Sequence, residues 1–432
     1  MMRFHKLVFY VLVATLLSPT FAAAFDTNAA LDFGPQRRQD QFESNSGYLV
    51  FPTPYTLPGI GSGMMLIGSA GNIYETNADA YVVMFQGDAS GYFSEVSEVF
   101  LLPKLLYVNR LQALITSFGM NSYSKRGMDT KKDDYNIMVG NRYAMGYNRA
   151  ALTFFERRLE VSIGQQVSDG RINKILTPQE ELVFEYTDPQ KFESKMVIKQ
   201  LQVDLTDDFN DPRSGFRAGI VTYDHPAANI EAPDYAVTDL YASYYLPIWE
   251  QSSWVFTYFD SGASVRRKGL TDLETLKTRN NFGACQQASS QTDCETAVLE
   301  GINNTIAANS NGTANPLGGP NRLRSYPSGR FTGAYTRMIG TEFRWNISTD
   351  KSAIDWYILQ DVQEAFQMAF FYEQGTVAES RADLGSINRS SVGAGVRLVT
   401  GSGSVYRFDV ASGEEGAEVT LLFNYPWSPE GF

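Results

Sequence analysis

The sequence predicts an all-β fold, a transmembrane antiparallel β-barrel of about 16 strands, and three observations support it. The chain of 432 residues opens with a segment typical of export signals. Long stretches alternate apolar and polar residues, as two-faced strands do. Many of these stretches span about 9 to 11 residues between turns, which is the length of a tilted membrane strand.

Residues 1–24 have the features of a signal peptide. Arg3 and Lys6 precede the apolar run LVFYVLVATLL (7–17), and the segment ends in three alanines. The apolar run is too short for a membrane-spanning helix, which needs about 20 residues. We therefore expect cleavage before Phe25, export from the cytoplasm and, for a barrel, residence in the bacterial outer membrane.

Alternation gives each strand candidate two different faces. In IGTEFRW (339–345), Ile339 and Trp345 lie on one face, and Glu342 and Arg344 lie on the other. A soluble sandwich buries its apolar face, whereas a membrane barrel turns that face toward lipid and keeps charges in the lumen. The pattern alone fits both folds. Export, strand length and the abundance of Phe and Tyr, with 28 and 24 residues, favour the barrel.

Strand candidates continue along most of the chain. They also cover 61–71, 78–87, 111–120, 149–167, 201–205, 215–224, 239–249, 253–265, 366–375, 391–399, 405–410 and 418–425. The same alternation turns several charged residues toward the lumen, namely Glu342, Arg344, Arg397, Arg407 and Asp409. These charges either line a pore or form solvated lumen walls.

The prediction divides the exported chain into two parts. Residues 25–58 form an extended N-terminal segment, because three prolines near its end disfavour other regular structure. This segment leads into the first strand or tucks into the lumen. The barrel then covers 59–432. Within it, the polar segment 266–322 breaks the alternation, and we expect disorder or a long functional loop at the extracellular end.

Two cysteines lie close together in that polar segment. In an exported chain, Cys285 and Cys294 predict a local disulfide. A metal pair is the weaker alternative, since His225 is the only histidine left after removal of the signal. The net charge of −12 and the lack of a basic run argue against nucleic acid as a partner.

Sequence motifs of enzymes are missing from the chain. There is no G-x-S-x-G element, P-loop or dinucleotide fingerprint, and His225 precedes Pro226 as a turn residue would. The segment DDFNDPRSG (207–215) has the composition of a calcium loop but lacks the spacing and terminal Glu of an EF-hand. We therefore predict a protein that is not an enzyme and that uses no cofactor or metal.

Four segments, taken in order, resemble the bacterial surface antigen superfamily, the BamA/TamA-type outer-membrane assembly barrels. They are TDDFNDPRSGFRAG (206–219), LRSY (323–326), GTEFRW (340–345) and FFYEQGTV (370–377). The resemblance covers about half of the chain, and the earlier PTPYTLPGIGSG is similar to the barrel entry of members without N-terminal domains. It implies a barrel-only member, because residues 25–58 are too few for a periplasmic POTRA domain.

The resemblance also implies a latch inside the lumen. In the family, the loop with the arginine-aromatic motif folds back into the lumen, and its arginine pairs with acids on neighbouring strands. The matching residues, called the latch motif below, are Arg324, Tyr326, Glu342 and Glu373. The alternative is a solvated Arg324 in a mobile loop. Ser325 stands where the family has glycine, and Glu373 where it has aspartate, so both the close approach and the pairing geometry are altered.

The function that the resemblance implies is non-enzymatic insertion or translocation of protein or lipid at the outer membrane. The partners would be outer-membrane lipids and client proteins of the periplasm or outer membrane. We expect a weakly closed seam between the first and last strands, in keeping with a glycine-rich first strand. Two other classes stay open, a passive pore or receptor and a structural or adhesive barrel that presents 266–322 at the surface.

Overall fold

The computed structural model describes residues 46–57, 60–123, 125–249, 252–280, 282–287, 291–348, 354–356, 359–362, 364–400, 405–423 and 425–427. The predicted signal peptide (1–24) lies outside these ranges and stays a prediction. The side chains of Cys285 and Cys294 also lie outside the described part of the structure, so the predicted disulfide stays a prediction. Among the described residues, no helix is long and apolar enough to cross a bilayer.

Strands make up most of the structure. They are β1 Gly47–Leu57, β2 Gly61–Gly71, β3 Asp79–Gly87, β4 Ser90–Leu102, β5 Leu106–Tyr123, β6 Tyr135–Phe154, β7 Leu159–Leu176, β8 Leu182–Asp204, β9 Gly215–His225, β10 Asp234–Ile248, β11 Ser252–Arg267, β12 Tyr335–Ser348, β13 Ile354–Trp356, β14 Leu359–Val362, β15 Glu364–Ala378, β16 Arg389–Thr400, β17 Val405–Gly413 and β18 Gly416–Phe423.

Sixteen of these strands close into one antiparallel barrel, which confirms the predicted fold class. Each barrel strand pairs with the next one along the chain, except that β12 pairs directly with β15. The short hairpin β13–β14 projects from the link between those two strands. The barrel closes where β1 meets β18, and we call this junction the seam.

The outer face of the barrel is apolar and the inner face carries the charges. In β12, Ile339 and Trp345 are 49% and 46% exposed, whereas Glu342 and Arg344 are 0% and 1% exposed. Apolar side chains that alternate outward with charged side chains inward are the pattern of a membrane barrel and the reverse of a soluble sandwich. The face assignment read from the alternation in this strand is therefore correct.

The link between β11 and β12 carries two helices, α1 (Leu273–Arg279) and α2 (Gln291–Asn311). Long links mark the extracellular end of such barrels, so the opposite end faces the periplasm. Within 266–322, where we expect disorder or a long functional loop, the structure thus contains two helices. Asp272 caps α1 by accepting a hydrogen bond from the backbone N–H of Thr275 at 3.1 Å. The apolar residues of α2 follow no single face, so alternation and periodicity do not reveal it.

The barrel begins at Gly47, before the predicted boundary at 59. Pro52 and Pro54 lie inside β1 and pair in register with Leu66 and Met64 of β2. Proline has no N–H, so a strand tolerates it only where that N–H would point away from the ladder. In the sequence, the prolines indicated only an extended segment. They did not reveal that β1 lies at the seam, where a strand edge without a neighbouring ladder tolerates proline.

Strand length varies around the barrel. The strands β5 to β8 are 18 to 23 residues long, whereas β1 to β3 are 9 to 11 residues long. About 9 to 11 residues cross the membrane, so β5 to β8 extend beyond it at the extracellular end. The last strand, β18, is only 8 residues long. The wall is therefore shortest on both sides of the seam.

Candidate functional site

The lumen is occupied by a loop that enters from the extracellular end. This latch loop, residues 312–334, is held as a narrow turn by paired backbone groups of Leu317 and Phe331, 2.9 and 3.0 Å apart. The turn is completed by Leu323, whose φ is 53°. Its apolar side chains join a buried cluster with the barrel wall, made of Met128, Phe259, Leu317, Leu323, Tyr326, Phe331, Met338 and Val377. The loop is thus packed in place as well as hydrogen-bonded.

Arg324 extends from this turn to acids on three strands. Its Nε donates to Glu373 at 3.0 Å, and its Nη1 donates to Glu342 at 3.1 Å and to Asp409 at 2.9 Å. The backbone N–H of Arg324 also donates to Glu373, at 2.8 Å. The side chain lies 3.3 Å from the centroid of the Phe371 ring and is fully buried. The structure brings together Arg324, Glu342 and Glu373 of the latch motif and adds Asp409.

Tyr326, the fourth residue of the latch motif, does not touch these acids. Its side chain is 0% exposed and packs edge-on against Phe331, with ring centroids 5.1 Å apart. Its hydroxyl accepts a hydrogen bond from the backbone N–H of Glu414, at 3.3 Å. Tyr326 therefore anchors the loop through packing and through the extracellular turn between β17 and β18.

Ser325 fits without the glycine that the resemblance would place there. Apart from glycines, the left-handed residue of the turn is Leu323, and Ser325 itself has no positive φ. Its N–H donates to Ser391 at 3.0 Å. The space for its side chain comes from the wall, since a Cβ at Gly413 would lie 2.3 Å from Ser325 Oγ. A glycine on β17 thus provides the close approach between loop and wall.

A second layer of arginines surrounds the same acids. Glu342 also accepts hydrogen bonds from Arg344 Nε at 2.8 Å and from Arg397 Nη2 at 2.6 Å. Asp409 accepts one from Arg407 Nη1 at 2.9 Å. These residues form the latch cluster, made of Arg324, Arg344, Arg397, Arg407, Glu342, Glu373 and Asp409. The inward charges are buried in this cluster, which decides against the predicted alternatives of pore lining and solvated walls for these five residues.

The electrostatics keep Arg324 charged. Burial alone would lower the pKa of its guanidinium, but Glu373, Asp409 and Glu342 outweigh burial, and the net effect is a raised pKa. A buried ion pair is stabilising only when geometry and additional hydrogen bonds compensate for lost hydration. Three carboxylates, each within 3.1 Å of the guanidinium, provide that compensation.

The described segment after β18 also enters the lumen. β18 stops at Phe423, and residues 425–427, which we call the tail, reach the latch. Trp427 Nε1 donates to Glu373 Oε1 at 2.9 Å, the oxygen that also accepts from Arg324. The Tyr425 hydroxyl donates to Asp211 at 2.6 Å, in the periplasmic turn between β8 and β9. The tail therefore links the last strand to the latch and to the far wall.

The tail was not predicted as part of the site. Pro426 and Pro429 indicated that the last strand ends near Tyr425, but nothing local shows where the chain goes next. The Tyr425 side chain is 8% exposed, and the Arg344 guanidinium lies 4.0 Å from its ring centroid. Burial, with Asp211 adding to it, raises the pKa of the Tyr425 phenol, so the hydroxyl stays protonated as a donor.

The seam is weakly paired. In the described part of the chain, β1 and β18 share one residue pair, Thr56 with Leu421, whereas β1 and β2 share eleven. At the periplasmic end, two residues of β1 pair instead with β14 of the short hairpin. Among the described residues, the seam edge of β1 is therefore paired with β18 near its extracellular end and with β14 at its periplasmic end.

Two prolines explain the gap between these points. Successive residues of a strand direct their N–H groups to alternate edges. The ladder between β1 and β2 runs without a break through Pro52 and Pro54, so the nitrogens that lack hydrogen lie on the seam edge. The middle of the seam edge has thus lost two hydrogen-bond donors.

Apolar packing closes the seam where backbone pairing does not. The buried part of this seam cluster consists of Tyr55, Met65, Ile67 and Val83 on the inner faces of β1 to β3. Tyr406 and Leu421, on the outer face of β17 and β18, pack against it, and the rings of Phe51 and Tyr406 meet edge-on at 5.1 Å. Inner-face residues of β1 thus contact outer-face residues of the last strands, as in an overlapped seam.

His225 and the acidic turn are held by ring stacking and by hydrogen bonds within the turn. The His225 ring stacks on Tyr235 with centroids 4.7 Å apart, which is a packing role. Acidic side chains of 207–211 are used to accept hydrogen bonds within their own turn, for example from Asn210 N–H to Asp208 at 2.8 Å. Across the residues that the structure describes, no group of three or more His, Cys, Asp or Glu is placed to hold a metal ion.

Comparison with solved structures finds similar barrels. BamA from Haemophilus ducreyi lacking POTRA domains 1–3 is 11% identical at a TM-score of 0.44, with 88% of this chain and 69% of that chain covered. CdiB from Escherichia coli is 11% identical (TM-score 0.47; 88% and 62% covered), and CdiB from Acinetobacter baumannii is 10% identical (TM-score 0.46; 89% and 60% covered). The chain thus spans less than two thirds of either CdiB.

No protein-family model matches the sequence, and no curated protein matches it. The solved structures share a barrel with this chain, at identities of 10% to 11%.

Proposed function

We propose that this protein is a non-enzymatic outer-membrane barrel that inserts or translocates protein or lipid through an opening in its wall. One observation carries the proposal: the seam holds one β1–β18 residue pair while its neighbours hold many more. A net backbone hydrogen bond contributes about 0.5–1.5 kcal/mol. Opening the seam therefore breaks far fewer backbone hydrogen bonds than separating β1 from β2 or β17 from β18.

The filled lumen supports a route through the wall. The latch loop enters from the extracellular end, and the tail extends from the periplasmic turn, where Tyr425 contacts Asp211, to the latch, where Trp427 contacts Glu373. At the periplasmic turn, Phe209 lies between the guanidinium groups of Arg157 and Arg217, at 3.4 and 4.7 Å from its ring centroid. A passive pore needs a continuous aqueous path, which these groups obstruct.

A gated pore is the second candidate, and the charges of the latch favour it. Arg324 is the link between the loop and the acids of β12, β15 and β17. Release of that link would expose a lumen wall lined by charged residues, which would conduct ions. This candidate predicts conductance that depends on the latch and is indifferent to the seam.

A disulfide across the seam tests the proposal. We would place Thr56→Cys and Leu421→Cys in the chain and express it in a deletion strain. The matched control is Val161→Cys with Leu201→Cys, a pair of outward residues in the long β7–β8 ladder. The native cysteines stay in both variants, so their effect cancels.

The readout is the outer membrane itself. Quantitative proteomics and lipid analysis compare each strain with the parent, before and after reduction. We expect the seam disulfide to reproduce the changes of the deletion strain, the control disulfide to restore the parental membrane, and reduction to rescue the seam variant. A seam-locked protein that restores the parental membrane fully would refute passage through the seam.

A further inference from the structure

We infer that the cargo of the seam is an acyl-chain lipid rather than a β-strand of a client protein. The inference rests on the proposed function and names the substrate class of that same opening. Three features of the described residues support it: the missing donors of the seam edge, the occupation of its two ends, and the apolar lining between them.

The seam edge of β1 is poorly suited to bind an incoming strand. A strand that adds to a sheet edge draws its affinity from a continuous row of main-chain N–H and C=O groups. Pro52 and Pro54 remove two successive donors from that row, because their nitrogens face the seam. An added strand would keep unpaired carbonyl groups at two adjacent positions, in surroundings where each unpaired polar group is costly.

The remaining donors are already used at both ends of the edge. Thr56 pairs with Leu421 toward the extracellular end, and Tyr48 and Leu49 pair with β14 at the periplasmic end. Between these points, Val50 is the single seam-facing position that keeps its N–H, since Pro52 and Pro54 follow at steps of two. One donor is too little for a ladder.

The lining of the same gap is apolar. In the seam cluster, Ile67 and Val83 are 0% and 2% exposed. The Phe51 ring packs edge-on against the ring of Tyr406 on the outer face of β17. The one polar tip of the buried cluster, the Tyr55 hydroxyl, donates to the carbonyl of Ala89 at 2.9 Å. The buried charged side chains of the barrel strands lie elsewhere, on β6 to β12 and on β15 to β17. A flexible chain without hydrogen-bonding groups fits this path, and acyl chains border it in the bilayer.

Purified full-length protein in vesicles tests the inference. The vesicles contain phosphatidylethanolamine and phosphatidylglycerol with a short-chain fluorescent phosphatidylethanolamine as the probe. Albumin extracts the probe from the outer leaflet only, so further extraction measures movement between leaflets. We expect the wild type and the Val161–Leu201 control disulfide to release inner-leaflet probe, and the Thr56–Leu421 disulfide to stop that release until it is reduced.

A polar substitution in the lining gives a second measurement. Phe51→Gln places an amide in the apolar gap, whereas Val167→Gln places the same group on the outward face of β7, at a side chain that is 43% exposed. We expect probe movement to slow about tenfold in the first variant and to stay near wild type in the second, because an unpaired amide in an apolar path is costly. Retained resistance of the barrel to detergent before heating confirms folding of both.

The same vesicles distinguish the inference from the proposed function, because they are also supplied with an unfolded client barrel. Client insertion that the seam disulfide blocks, without any lipid movement in the wild type, overturns the inference and leaves the proposed function standing. Lipid movement that continues through the locked seam also overturns it. If the seam disulfide changes neither lipid movement nor client insertion, both fail together.

Discussion

Arg324→Ala tests whether the latch loop is held in the lumen by its ion pairs. The substitution removes the hydrogen bonds of the guanidinium to Glu373, Glu342 and Asp409, which are 2.9 to 3.1 Å long. It leaves the backbone N–H bond to Glu373 in place. The loop then depends on its apolar cluster, on Tyr326 and on its other hydrogen bonds, such as those from Arg330 to Glu415 at 2.6 and 2.9 Å.

The magnitude follows from burial. Removal of one partner from a buried ion pair costs about 3–5 kcal/mol, since the acids left behind lose their compensation. Arg344, Arg397 and Arg407 still pair with Glu342 and Asp409, so the lower end of that range applies. About 3 kcal/mol corresponds to roughly a hundredfold rise in the population with the loop released.

A reporter cysteine beneath the loop measures that population. Ser391 lies on β16, is 1% exposed, and accepts the N–H of Ser325, so Ser391→Cys is covered while the loop is latched. We expect maleimide labelling of this cysteine to accelerate roughly a hundredfold in the Arg324→Ala background. Ion conductance in planar bilayers should rise in parallel if the tail leaves with the loop.

The matched control is Arg337→Ala on β12, the strand that also carries Glu342. Arg337 pairs with Asp260 at 2.9 Å, but its side chain is 42% exposed and faces outward. Exposed pairs contribute about 0.2–1 kcal/mol, so labelling should change less than about fivefold. Equal labelling rates in the Arg324 and Arg337 variants would refute the argument that the latch cluster holds the loop.

Three further predictions concern neighbouring contacts. Trp427→Phe keeps an aromatic ring but removes the hydrogen-bond donor to Glu373. We expect the free energy that holds the loop in the lumen to fall by about 1.5 kcal/mol. Labelling of the Ser391→Cys reporter should then be roughly tenfold faster. Unchanged labelling would mean that the tail does not hold the latch. Gly413→Ala should release the loop and accelerate labelling of the reporter, because the new methyl group would clash with Ser325 Oγ. Adding Ser325→Gly to that variant should partly restore the slow labelling. If it does not, the clash with Ser325 is not what releases the loop. Asp409→Asn should lower the thermal stability of the barrel, because Arg324 and Arg407 lose a charged hydrogen-bond acceptor. Heat-dependent gel mobility measures this stability. A variant as stable as the wild type would contradict a stabilising role of Asp409.

The alternation of residues along the strands predicted which side chains form the barrel wall of the site. Side chains of a strand alternate strictly between two faces, so a short run such as 339–345 is enough to turn Glu342 inward and Trp345 outward. The motif resemblance then indicated Arg324 as the partner from the loop. Both inferences depend on local features, namely the alternation within one strand and a short motif. They can therefore be made without tertiary information.

Asp409, the tail and the seam depend on distant parts of the chain. Asp409 joins Arg324 because barrel closure brings β17 to the loop, although 85 residues separate the two in sequence. Tyr425 meets Asp211 across 214 residues. Helix α2 gave no amphipathic pattern, and Pro52 and Pro54 had no visible role until β1 was placed at an edge.

The sequence by itself determined the class of fold, the two faces of its strands and the identity of the latch motif, because alternation and motifs are local properties. The tertiary structure decided which acids meet Arg324, where the tail lies and how few backbone pairs close the seam. These outcomes follow from how strands far apart in sequence are registered when the sheet closes, and no local pattern encodes that register.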